Sequence, residues 1–322
     1  MVKSIVIDCH ADTLLKKYLE EMMPLLFAER GMKFHASKDL LTQGGVDIQV
    51  FAIFVPPKLE KIGIEVSLEM ITLAKEMEKD GFILIKSKKD LKTIENSKNG
   101  IGMVLSLEGT VALERNLQLL PIFYELGIRN IGLSWSRKNL FCEGTGLTQD
   151  SDEGEGISVH GKELLEQMES LGIIIDVSHL NKKGFADVVK VTSDPFIASH
   201  SNAYQLCPVN RNLTDEQLME IASAEGVVGI NFYPRFLSQN DPQSVSIKDV
   251  IQHIKYITNL LGVDHVGLGS DFDGIGITPK GLETASKIKN IPPLLEEEGF
   301  SNQDIEKIMG TNFKRVFNRV WK

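Results

Sequence analysis

The feature that most constrains this chain is a repeated unit. A short, near-continuous apolar run is followed by a helical pattern, and the run returns eight times along the 322 residues. The runs lie at 5–7, 48–55, 101–107, 128–135, 173–179, 195–200, 227–233 and 265–271, each rich in Val, Ile or Leu. Strands that are apolar at almost every position are buried on both faces, as in parallel sheets covered by helices. Amphipathic stretches lie between them at 66–80, 161–171, 214–224 and 246–261, with apolar residues three and four apart. Thr214-Asp215-Glu216-Gln217 has the form of a capping box, and Gly172 and Gly262 stand where a helix would stop. The last stretch, 301–322, predicts two short closing helices broken near Gly310-Thr311. Strands alternating with helices predict a (β/α)8 TIM-type barrel forming a single domain over 1–322. A doubly wound open sheet is the competing architecture, and no GxGxxG or GxxxxGK loop follows a strand to support it.

Composition bounds the function. The formal net charge of -9 argues against non-specific nucleic-acid binding. Three widely spaced cysteines, Cys9, Cys142 and Cys207, form no disulfide framework and suit a reducing compartment. No secretory signal is read at the start, and no run approaches the ~18 apolar residues of a spanning helix. The expectation is a cytoplasmic protein that engages neither membrane nor nucleic acid. Insertions fall at 13–45 and 139–156, and the second, glycine-rich and acidic, predicts a mobile loop over one face.

In a barrel of this kind, chemistry gathers at the C-terminal ends of the strands. Those ends carry His10 and Asp12, Glu108, Trp135, His179, His200, Asn231 or Tyr233, and Asp271. Strand alternation places His10 and Asp12 on one face and turns Cys9 away as a small buried thiol. Three imidazoles with carboxylates and no thiolate cluster suit Zn²⁺ or a similar divalent ion. The set exceeds what one tetrahedral ion needs. Two ions would use it fully, with Glu108 as the natural two-oxygen bridge. The remaining histidines, His35, His160, His253 and His265, fall in loops, helices or a strand start and read as ordinary surface or core residues.

Six blocks carry a resemblance. They are His10-Ala11-Asp12, Ser106-Leu107-Glu108-Gly109, Asp176-Val177-Ser178-His179, Ser199-His200-Ser201-Asn202-Ala203, Arg211-Asn212-Leu213-Thr214-Asp215 and Gly267-Leu268-Gly269-Ser270-Asp271-Phe272-Asp273-Gly274. In this order they resemble the signature blocks of the membrane (renal) dipeptidase family of zinc peptidases. The resemblance implies a metal-dependent amidohydrolase barrel with a binuclear zinc centre. His10 and Asp12 would hold one Zn²⁺, His179 and His200 the other, and Glu108 would bridge them. Asp271 would be the catalytic acid/base and Arg211 would bind the substrate carboxylate. Asp273 competes with Asp271 by spacing, and the motif match selects Asp271.

A hydroxide held between two such ions is available at neutral pH and would attack the scissile bond of a dipeptide. The chain departs from the family at Trp135, where many members carry a histidine. Tryptophan neither binds metal nor accepts a proton, so Trp135 is expected to contact substrate, as is Tyr233. The altered pocket leaves open a related amide substrate, an N-acyl amino acid or a lactam. A metal-bound protein that serves only binding is the reading from another class, and the presence of both Asp271 and Arg211 argues against it. A homodimer is compatible with such barrels, and no interface is legible.

Overall fold

The computed structural model describes residues 5–22, 24, 33–96, 100–146 and 154–322. Nine strands are present among them: β1 Ile7–Ala11, β2 Ile48–Phe54, β3 Phe82–Leu84, β4 Ile101–Glu108, β5 Ile128–Gly132, β6 Ile174–Asp176, β7 Ile197–Ala198, β8 Val227–Ile230 and β9 Val266–Leu268. All pairings between them are parallel. The neighbour order β2-β1-β9-β8-β7-β6-β5-β4 closes on itself through a β2–β4 pairing. This is an eight-stranded (β/α)8 barrel, and its strands are the eight apolar runs. The ninth strand, β3, was not expected. It pairs with the first three residues of β4, on the edge that β5 occupies further along.

Alternation along the strands sorts the core into two clusters. Phe51, Ile53, Met103, Leu105, Ile131, Ile175, Val228 and Leu268 face the surrounding helices in one cluster. Ile7, Ile48, Val50, Val104, Ile174, Ile197 and Val227 form the other, inside the barrel. The C-terminal helix Asn312–Val320 supplies Phe313, Val316, Phe317 and Val320 to that inner cluster, followed by Trp321. The closing helices are therefore a plug for the barrel floor. A methyl group on Gly267 would lie 2.4 Å from the Phe313 ring, so a side chain at that point of β9 would expel the plug. The two expected closing helices are seen as Asn302–Glu306 and Asn312–Val320, joined by a wider turn, Lys307–Thr311.

Local signals hold elsewhere. Thr214 caps the helix Asp215–Ser223 with a reciprocal Gln217 contact. Gly172 ends the helix Val159–Leu171 in the left-handed conformation at φ 77°, ψ 39°. Gly262 also has positive φ, but its ψ of 162° sends the chain out extended rather than into a left-handed cap. Part of the insertion 13–45, and 147–153 of the expected loop at 139–156, lie outside the described residues.

The expectation for Cys9 needs one correction. Ile5, Ile7 and Cys9 all belong to the inner cluster, whereas Ala11 belongs to the outer one. The pairing of β1 with β2 slips between Asp8 and Ala11. A bulge of this kind inserts one residue and breaks the alternation. Cys9 is thus buried as expected, at 1% exposure, yet it faces the barrel axis below the site. The same bulge turns His10 toward the axis.

Candidate metal centre and substrate cavity

The C-terminal ends of the strands surround a cavity of about 880 Å³, lined by Asp12, Glu108, Trp135, His179, Arg211, Tyr233 and Asp271 among others. At its floor, His10 Nε2 lies 3.5 Å from Asp12 Oδ2 and 3.7 Å from Glu108 Oε2. Glu108 Oε1 lies 2.9 Å from His179 Nε2 and 3.7 Å from His200 Nε2. One carboxylate thus turns one oxygen to His10 and the other to the His179–His200 pair. The His10 and His200 rings stack with centroids 3.7 Å apart. Ligand atoms of His10, Glu108 and His200, and of His10, Asp12 and Asp271, fall within 4.8 Å of one another.

The donor set fits a divalent metal. Asp12, Glu108 and Asp271 bring three carboxylates into one buried volume, opposed by the fixed positive charge of Arg211. Such a concentration of anionic groups away from water demands further cations. Both ring nitrogens of His10 are buried without a hydrogen-bond partner. His179 Nε2 and His200 Nε2 stand 3.0 Å apart. Two nitrogens on one tetrahedral Zn²⁺, each at 2.0–2.1 Å, would be about 3.3 Å apart. Ser136 Oγ lies 2.8 Å from His179 Nδ1, and Ser199 Oγ 2.7 Å from His200 Nδ1. An Nδ1–H given to Ser199 would leave the His200 Nε2 lone pair facing the cavity.

Electrostatics follow the crowding. Burial lowers the pKa of His10, but Glu108, Asp12 and Asp271 outweigh it and raise the imidazole to about 10. Burial, and then Asp12, push Glu108 well above the usual carboxylate range. Burial holds His179 and His200 well below theirs, helped by nearby cationic groups. Asp271 is raised to about 6 by burial, with His10 pulling it down and Asp12 pushing it up. Its Oδ2 accepts a hydrogen bond from Asn231 Nδ2 at 2.9 Å.

Arg211 is buried, at 8% exposure, although its position near a helix start suggests a solvent residue. The loop that follows β7 folds back through a parallel bridge between Ala203 and Leu213 and carries it inward. Its Nε donates to His179 Nδ1 at 3.0 Å, Nη1 to Ser201 Oγ at 3.2 Å and Nη2 to the His200 carbonyl at 3.1 Å. A guanidinium has five N–H groups, so one remains on each terminal nitrogen. Tyr233 lines the cavity and packs edge-on against Phe236, with centroids 4.9 Å apart. Trp135 lines the other side, with its ring 5.2 Å from Phe54 and 6.0 Å from His179.

Asp273 does not compete for the site. Its carboxylate is turned away and fully buried against Thr13, Lys16 and the backbone of His35 and Ala36. The structure adds several residues that sequence reasoning passed over. Ser199 lies within a quoted block and Ser136 directly follows Trp135, each beside a cavity histidine, but serine is too common to signal a role. Phe54 ends β2, where no chemical group drew attention. A methyl group on Gly274 would fall 2.1 Å from Asp12 Oδ2 and 2.6 Å from Asp271 Oδ1, so only glycine allows both carboxylates their places.

Comparison with known proteins gives the chain's relatives. The chain is 35% identical over 217 residues to the dipeptidase tcpJ of Claviceps purpurea, a match covering 67% of this chain and 50% of that protein. It therefore spans about half the length of that relative. An uncharacterized dipeptidase of Schizosaccharomyces pombe is 32% identical over 339 residues, covering 98% of this chain and 80% of that one. Among solved structures, a metallopeptidase from Rhodobacter sphaeroides, bound to a phosphinate mimic of the dipeptide L-Ala-D-Ala, superposes with a TM-score of 0.90. It is 28% identical, with 99% of this chain and 100% of that one covered. The model of the membrane dipeptidase family, peptidase family M19, matches residues 1–322. The chain belongs to that family.

Proposed function

We infer that this protein is a binuclear zinc dipeptidase acting as one domain over 1–322. One observation carries this: three imidazoles and three carboxylates converge on the floor of a cavity whose wall holds a buried arginine. His10 and Asp12 would hold one Zn²⁺, His179 and His200 the other, with Glu108 between them. When bound, such a pair of ions lowers the pKa of water enough to supply a nucleophile near neutral pH and polarises the scissile carbonyl. The residues do the rest. Arg211 offers its two free N–H groups to the terminal carboxylate of a dipeptide, a planar match that favours short substrates. Asp271, raised to about 6, takes a proton from the attacking water and delivers it to the leaving amine. Asn231 fixes the orientation of that carboxyl. The Rhodobacter protein's dipeptide mimic supports the substrate class.

The test is metal content together with hydrolysis of a panel of L,L and L,D dipeptides. Two equivalents of zinc and turnover are expected. The absence of both bound metal and hydrolysis with zinc supplied would refute the reading. Glu108→Gln removes one carboxylate charge between the two ligand groups and is expected to lose metal and most activity. Trp135 beside His179 favours the second reading, a related amide such as an N-acyl amino acid or a lactam, which a higher kcat/KM on those substrates would establish. A cytoplasmic location fits the three cysteines, all buried and free. Among the described residues, no helix is long and apolar enough to cross a membrane. A homodimer is tested by light scattering.

A further inference from the structure

The cavity has two chemically different ends. In the closed ring, β2 and β7 are four steps apart in either direction, so they stand opposite each other. Arg211 follows β7, and Tyr233 and Arg235 follow β8. Leu15 follows β1 and Phe54 ends β2, on the side away from Arg211, while Trp135 follows β5, two steps from β2 and two from β7; all three line the cavity. Phe54 and Trp135 are half-buried, with ring centroids 5.2 Å apart and planes tilted by 50°. An exposed ion pair, Arg137 Nη2 to Glu60 Oε1 at 2.9 Å, ties the loop after β5 to the turn Pro57–Ile62 after β2. The Arg137 guanidinium also lies 5.5 Å from the Trp135 ring centroid.

A dipeptide has a direction in such a cavity. Its two residues span roughly 7 Å when extended. With the carboxylate on Arg211 and the peptide bond over the ligand cluster, the N-terminal residue falls toward the β2–β5 side. We propose that Leu15, Phe54 and Trp135 form the subsite for the side chain of the N-terminal residue and select dipeptides whose first residue is large and apolar or aromatic. The proposal rests on the dipeptidase reading. Two aromatic faces and a leucine give dispersion contacts to such a side chain and offer a carboxylate placed among them at most the indole N–H of Trp135. Trp135, the departure from the family pattern, thereby sets what is cleaved rather than how.

The experiment compares kcat/KM for Leu-Ala, Phe-Ala, Gly-Ala and Asp-Ala on the zinc-loaded enzyme, with an Ala-Xaa series as the control for the other end. Leu-Ala and Phe-Ala are expected to exceed Gly-Ala and Asp-Ala by at least about tenfold, the scale of a missing apolar contact in a pocket. Phe54→Ala and Trp135→Ala should collapse that ratio toward one, while Trp135→Phe keeps most of it and guards against misfolding as the cause. Inhibition constants of phosphinate analogues of Leu-Ala and Gly-Ala give the same comparison without turnover. Equal kcat/KM across the four substrates, or a ratio untouched in both alanine variants, overturns the subsite and leaves the dipeptidase reading standing. No hydrolysis of any dipeptide overturns both.

Discussion

His253 predicts an acid weakness in the half of the barrel that holds Arg211 and Tyr233. It sits on the helix Ile247–Leu261, almost fully buried. Its Nδ1 accepts from the Ala203 N–H at 3.1 Å, and its Nε2 faces the Leu237 carbonyl at 3.0 Å. One ring thus joins the loop after β7 to the short helix Pro234–Leu237, and it does so as neutral imidazole. Burial lowers its pKa to about 4, against smaller opposite pulls from the Leu237 carbonyl and Asp249. The unfolded chain protonates near 6.5, so as pH falls the unfolded state takes the proton first. The stability tied to neutral His253 is complete above 6.5, declines below it and is gone below about 4. The total is on the order of 3 kcal/mol, of which about 2 kcal/mol is lost between pH 7 and pH 5. His253→Gln keeps an acceptor and a donor but does not titrate. Urea unfolding of both proteins at pH 7 and pH 5 isolates the effect, because every other titratable group is common to both. The wild type is expected to lose about 2 kcal/mol more than the variant. Parallel pH dependences would refute the assignment of a neutral, buried imidazole.

Two further outcomes follow from close contacts. Gly274→Ala forces Asp12 or Asp271 to move, and a displacement near 1 Å at a reacting centre costs on the order of 10²-fold in kcat, with circular dichroism unchanged and metal retention read alongside. Phe313→Ala empties part of the barrel plug and is expected to lower unfolding stability by about 3–5 kcal/mol, read by denaturant titration, while KM for a dipeptide stays near wild type.

The eight barrel strands were legible because burial on both faces leaves an unbroken apolar run. Phe82-Ile83-Leu84 escaped notice because the four apolar residues between Gly81 and Lys86 are too few to show a period. The convergence of His10, Asp12, Glu108, His179, His200 and Asp271 was legible because imidazole and carboxylate side chains rarely end apolar strands without a chemical reason. Arg211 was not legible from its own surroundings. Only the fold-back at Ala203 and Leu213 buries it, and backbone pairing leaves no mark on an arginine. The bulge at Cys9-His10 was hidden for a related reason. Alternation is a property of one strand, whereas the slip belongs to the pairing between β1 and β2, and the sequence of β1 alone predicts the regular form.

The bulge is one of several irregularities that bring the site together. Among the described residues, non-glycine positive φ occurs at His179, Glu225, Asp271 and Asp273, at 71°, 57°, 62° and 69°. Three of these four lie in or beside the ligand cluster. Each left-handed residue costs on the order of 1–3 kcal/mol, so the surrounding structure must hold it. For His179 the hold is a carbonyl bond from the Thr145 N–H at 2.8 Å and the Arg211 and Ser136 contacts to its ring. For the turn after β9 the hold is Asp273. Its carboxylate takes Thr13 Oγ1 at 2.7 Å, Lys16 Nζ at 3.0 Å, and the N–H groups of His35 at 2.6 Å and Ala36 at 3.3 Å. Hydrogen bonds to a charged group contribute about 1.5–3 kcal/mol each, enough to offset the strain at both Asp271 and Asp273. Asp271 N–H meanwhile donates to the His10 carbonyl at 3.1 Å and Asp12 N–H to the Phe272 carbonyl at 2.8 Å, which locks the turn to the end of β1. The carboxylate that competes with Asp271 by spacing thus anchors the turn that presents it. All four donors come from the described parts of the first insertion, two from its start and two from beyond its middle. Replacing Asp273 would leave Lys16 as an unpaired buried charge and release the strained turn, so the two faults cannot be separated by one substitution. Lys16→Met leaves the Asp273 carboxylate as the unpaired buried charge instead. Only the double variant Lys16→Met/Asp273→Asn, set beside each single one, separates the anchoring of Asp271 from the energetics of the ion pair.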